Sequence, residues 1–123
     1  MRPAAVLKLL SLACAVALAV AFTAPAAYAE PDPECVDECI AQYDEDRQQC
    51  EEELEQRLAE LDQEAQECYE QHPNDIVQLG LCLREVNIKR YRAQSDYRRC
   101  ISEANTAAWN CYRNCPPASE SAP

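Results

Sequence analysis

From residue 33 onward, apolar and polar positions follow the period of an α-helix. Over residues 33–71, Val36, Ile40, Tyr43, Leu54, Leu58, Leu61, Ala65 and Tyr69 recur at three-, four- and eleven-residue steps. At ~100° per residue they share an arc of about 80°. Over residues 76–114, Leu79, Leu83, Val86, Ala93, Tyr97, Ile101, Ala104, Ala108 and Tyr112 do the same, within about 100°. Stripes of this width belong to amphipathic helices that bury one face.

The flanking residues set the ends. Asp32-Pro33 provides an N-cap and a proline in the first turn, where its missing N–H costs nothing. His72-Pro73 closes the first helix, because the residue before proline avoids the α region. Asp75 can cap the second helix, with Gln78 three residues on as in a capping box. Pro116-Pro117 stops it. The pattern predicts an all-α fold, a long hairpin of two helices spanning about 33–71 and 76–114.

The cysteines orient the two helices. Cys35, Cys39, Cys50, Cys68, Cys82, Cys100, Cys111 and Cys115 are separated by steps of 4, 11, 18, 14, 18, 11 and 4. The series is the same in both directions. Pairing from the outside in joins 35 with 115, 39 with 111, 50 with 100 and 68 with 82, and each pair of numbers sums to 150. A constant sum is the signature of two antiparallel segments in register. On each helix the four cysteines fall within an arc of about 60° beside the apolar stripe. On strands the odd step of 11 would send later cysteines to the opposite face. The spacing therefore predicts an antiparallel hairpin cross-linked by a ladder of four disulfides.

The chain before the hairpin reads differently. Arg2 and Lys8 precede an apolar run from Leu9 to Phe22, and Ala27-Tyr28-Ala29 has the form of a cleavage site. This is the layout of a secretory signal peptide over 1–29, and the run is shorter than the ~20 residues of a spanning helix. Cys14 lies in the run, but Ser11-Leu12-Ala13 is a poor lipobox, so lipid anchoring is not expected. The expected mature chain is one domain: a hairpin over 30–115 and a polar, proline-rich, disordered tail over 116–123, secreted or periplasmic and without membrane attachment. Eight cysteines in a short exported chain imply disulfides, since that compartment is oxidising.

Charge narrows the function. The full chain carries 22 acidic and 11 basic side chains, net −11. Residues 33–71 hold 15 acids and two bases, whereas residues 76–114 hold three acids and seven bases. The helices therefore attract each other, and the net acidity argues against nucleic acid and against lysis of anionic membranes. Asp44-Glu45-Asp46 and Glu51-Glu52-Glu53 lack the glycine turn of a calcium loop. His72 is the only histidine and falls at the hairpin tip, and Gly80 is the only glycine, so no phosphate loop exists. Cysteines at i and i+4 could bind zinc or exchange disulfides, but a zinc site does not explain the register of all four pairs. No enzyme activity, cofactor or metal is expected.

The motif at each end, Cys35-x3-Cys39 and Cys111-x3-Cys115, resembles the disulfide-stapled helical hairpins of the plant α-hairpinins. It is also similar to the twin-cysteine motifs of the coiled-coil-helix-coiled-coil-helix proteins and the small mitochondrial Tim chaperones. In those families the motifs sit close to a short loop, whereas here residues 40–110 lie between them and carry two further rungs. The resemblance implies a stapled hairpin and, from α-hairpinins, protease inhibition or antimicrobial action.

Three functional classes follow. The first is a structural or protein-binding module. The second is an α-hairpinin-like inhibitor or toxin-type effector, and the third a thiol-disulfide redox protein. For the first, the expected partner face is the outer side of the second helix. There Tyr91 and Trp109 fall outside the apolar arc, with Arg84, Arg98 and Arg113 nearby. Aromatics and arginines are common interface anchors; the competing expectation is that these rings pack on the flank of the first helix.

Overall fold

A computed structural model describes residues 29–118 of the chain. The expected signal peptide up to residue 28, with Cys14, and tail residues 119–123 lie outside the described residues. Two helices make up the fold, α1 over Pro33–Gln71 and α2 over Ile76–Arg113, packed antiparallel. At 39 residues, α1 is about 58 Å long. No helix among the described residues is long and apolar enough to cross a membrane.

The caps form where the sequence places them. The Asp32 side chain accepts from the Cys35 N–H at 3.2 Å, and Asp75 accepts from the Gln78 N–H at 3.1 Å. Each satisfies a donor that the first helical turn leaves without a partner. The α2 helix ends one residue earlier than expected, because Asn114 is its C-cap and the Asn114 N–H donates to the Asn110 and Cys111 carbonyls. His72 caps α1, its N–H donating to the Cys68 carbonyl, and is half-buried in the turn.

The tail departs from expectation at its start. Asp32 N–H donates to the Pro116 carbonyl at 2.7 Å, and Pro31 and Pro117 form an antiparallel bridge. Pro116 and Pro117 are thus paired with the segment that enters α1. Proline lacks an N–H but keeps its carbonyl, so it can still accept in such a bridge. The turn closes one end of the hairpin, and at the other, its open end, this clasp holds the two chain segments together.

The core is thin. On α1 the buried residues are Cys39, Cys50, Leu61 and Cys68; on α2 they are Val86, Ala93 and Ala104. Cys39, Cys50 and Leu61 lie eleven apart, as do Ala93 and Ala104. Eleven residues in three turns is ~3.67 per turn, close to the ~3.6 of a straight helix, so one face stays on the seam for its whole length. The largest apolar cluster, Leu61, Cys68, Val86 and Ala93, with Leu54, Ala65, Leu79 and Leu83 packed against it, fills the longest interval between rungs. The two inter-helix ion pairs lie there too, Lys89–Glu64 and Arg90–Asp62, each at 2.6 Å. Attraction between the oppositely charged helices is thus concentrated where cross-links are sparsest.

The acidic surface of α1 is partly compensated within the helix. The amides of Gln42, Gln48, Gln49 and Gln56 donate to the carboxylates of Asp46, Glu52, Glu53 and Glu60, each four residues on. Such pairs stabilise a helix by about 0.2–0.5 kcal/mol each. Arg47 and Arg57 pair with Glu51 and Glu60. Most of the 15 acids in α1 remain beside like charges at i+3 or i+4, which costs stability. With the disulfides reduced, helical circular dichroism should rise on acidification, as neighbouring like charges on α1 are neutralised. A fall in helix content on acidification would show that the pairs with α2 outweigh the repulsion.

Candidate functional site

The four rungs follow the outside-in pairing: Cys35–Cys115, Cys39–Cys111, Cys50–Cys100 and Cys68–Cys82, with Cα–Cα distances of 5.7, 5.7, 5.9 and 5.8 Å. These separations suit disulfides without backbone movement. Cys39, Cys50 and Cys68 are buried on α1, while Cys111 is exposed on α2. The two rungs at the open end are close together. Cys39 Sγ lies 3.7 Å from Cys115 Sγ, and the sulfurs of Cys35, Cys39 and Cys115 all lie within 4.8 Å of one another. Each of these sulfurs is bonded to another sulfur, so none is the thiolate that a metal or a substrate disulfide would meet.

Next to these rungs an open groove of about 450 Å³ runs between the helices. Val36, Ile40 and Tyr43 of α1 and Ala108, Trp109 and Tyr112 of α2 line it. The Trp109 and Tyr112 rings meet edge to face, with centroids 5.9 Å apart and planes at 85°. Trp109 nonetheless stays 62% exposed. A second groove of about 420 Å³, toward the middle of the hairpin, includes Glu53, Arg57, Lys89, Arg92 and Asp96 in its lining. Its two signs of charge largely compensate each other.

The structure divides the expected partner face. Trp109 stands at the rim of the aromatic groove, with its ring against Tyr112. Arg113, on the last turn of α2, is exposed. Tyr91 is 72% exposed and belongs to a different neighbourhood, with Val77 at 66%, Leu81 at 54% and Ile88 at 46%. These three residues were not singled out from the sequence. Their signal is a second apolar stripe on α2, centred about 140° from Cys82 and about 170° from the middle of the seam at ~100° per residue. The stripe that carries the cysteines overshadows it.

Comparison with known protein families, curated proteins and solved structures finds no match to this chain. What is established is a small, cysteine-rich, disulfide-stapled helical hairpin.

Proposed function

We propose that the chain is an exported, non-enzymatic structural or protein-binding module whose partner is anchored by Trp109 at the open end of the hairpin. The observation that carries this reading is Trp109 itself: a large aromatic side chain, exposed at the rim of an apolar groove, on a backbone held by two adjacent disulfides. Aromatic residues in such positions dominate binding energy at interfaces, and a cross-linked backbone loses little entropy on docking. Arg113, exposed on the last turn of α2, lies one turn on from Trp109 and would add a cationic contact, whereas Tyr91 lies outside this end of the hairpin. Export is supported by the four disulfides and by the leader pattern of residues 1–29. The rungs also favour this reading over a thiol-disulfide enzyme, and a thiol titration of the native protein should find no reactive cysteine pair.

The test is Trp109→Ala, with partner capture read by cross-linking and mass spectrometry in the exported fraction of the native host. The variant should keep all four disulfides and its helix content, and should weaken capture by about 1–2 kcal/mol. A lowered melting temperature with unchanged capture would assign the ring to packing and overturn the reading. The twin C-x3-C motif at the open end favours one alternative, an α-hairpinin-like inhibitor or toxin-type effector. Saturable inhibition in a protease panel would replace the module reading with that one.

A further inference from the structure

We infer that the outer face of the first half of α2, from Val77 to Tyr91, is a docking surface for an acidic amphipathic helix of another protein. This extends the binding-module reading to a surface that the aromatic groove does not include. Val77, Leu81, Arg84, Ile88 and Tyr91 follow one another at steps of 4, 3, 4 and 3. That spacing forms the seam of a two-helix packing. In an isolated hairpin this seam has no use, because the contact with α1 is made on the opposite side by the cysteines, Val86 and Ala93. All five residues are nevertheless exposed. Four exposed apolar side chains aligned about a single arginine mark an interaction surface.

The charges around the line identify the partner's chemistry. Of the seven bases on α2, Lys89 and Arg90 pair with α1 and Arg99 pairs with Asp96. Arg84, Arg92, Arg98 and Arg113 form no ion pair among the described residues. Arg84 lies within the Val77–Tyr91 stretch and Arg92 borders it, both within about 60° of the stripe's centre, whereas Glu85, the carboxylate of that stretch, lies about 80° away; Arg98 and Arg113 lie further along α2. In a chain of net charge −11, one helix face is apolar and cationic and holds no acid. Its complement has apolar residues at three- and four-residue steps flanked by Asp and Glu. The stretch from Val77 to Tyr91 is about 21 Å long, or four turns. The Cys68–Cys82 rung holds α2 in place beneath it.

The same observations disfavour a second copy of the chain. Packing α2 on α2 would bring arginines together along the line. The outer face of α1 is acidic, but the only large apolar side chains α1 exposes are Ile40 and Tyr69, too far apart to cover a stripe.

The experiment titrates the oxidised protein into a fluorescent synthetic helical peptide with Leu at heptad core positions and Glu on the flanks, and into a counterpart with Lys on the flanks. The Glu peptide should bind saturably and at least tenfold tighter than the Lys peptide, and should weaken as salt is raised. Leu81→Asp, Ile88→Asp and Arg84→Glu should each weaken binding about tenfold with the four disulfides intact, while Trp109→Ala should have no effect. Using two apolar variants guards against one of them misfolding. Absent binding, equal binding of the two peptides, or insensitivity to both apolar variants overturns the proposal. So does loss of peptide binding in Trp109→Ala, which would move the contact to the aromatic groove. A dimer dispersed by Leu81→Asp would make the occupant a second copy. Binding to phosphatidylglycerol vesicles without peptide binding would make it a membrane. Because the groove reading is tested by Trp109→Ala and this one by Leu81→Asp, either can fail while the other stands.

Discussion

Reduction of the four disulfides should abolish the cooperative hairpin and leave a partly helical, protease-sensitive chain at 37 °C. The innermost rung, Cys68–Cys82, spans a sequence separation of 14. Closing a loop of that size stabilises the fold by about 3 kcal/mol in the chain-entropy treatment. The outer rungs, with separations of 50, 72 and 80, each close a further loop in a chain already pinned, so their contributions are not independent. Together they are comparable with the ~5–15 kcal/mol that holds a typical domain. Few buried residues are available to compensate: apart from three cysteines they are Leu61, Val86, Ala93 and Ala104. The check is thermal unfolding followed by circular dichroism with and without reductant, alongside peptide mapping under non-reducing conditions. Mapping should give 35–115, 39–111, 50–100 and 68–82; a Cys35–Cys39 bridge would sink the antiparallel ladder. An unchanged melting curve after reduction would mean that the apolar seam alone carries the fold.

The second large effect is expected at Leu61. It is fully buried, at 0% exposure, and sits in the cluster between the rungs Cys50–Cys100 and Cys68–Cys82. Replacing it with alanine removes buried methyl groups and leaves a cavity that flanking disulfides keep from collapsing. The expected cost is about 2–4 kcal/mol. Because the rungs on either side persist, the loss should be local. Amide hydrogen exchange should rise over residues 54–65 and 86–93 and stay unchanged around Cys39 and Cys111. Tyr69→Ala is the control: its ring is half exposed, and the change should be within about 0.5 kcal/mol. Uniform destabilisation by Leu61→Ala would show that the hairpin opens as one unit rather than in segments.

The architecture is legible in the order of residues along the chain, because the information that sets it is one-dimensional. A palindromic cysteine series admits one in-register antiparallel pairing, the 100° helical step keeps every rung on one face, and Asp32, Pro33, Asp75 and Gln78 act within their own turns. These are local or periodic constraints that need no coordinates. The surfaces are another matter. A helical wheel places Trp109 and Tyr91 at the same angle, five turns apart along α2, but the packed structure gives them different surroundings: Trp109 meets Tyr112 at the groove, and Tyr91 stands with Ile88 and Leu81 in the open. The cysteines mark the stripe of α2 that α1 covers, but the exposure of the opposite stripe is read from the packed helices. The pairing of Pro116 with Asp32 was hidden for a similar reason. A proline-rich, polar segment reads as tail until the closed hairpin brings the two chain ends together, and then a carbonyl that proline still possesses accepts from the Asp32 N–H.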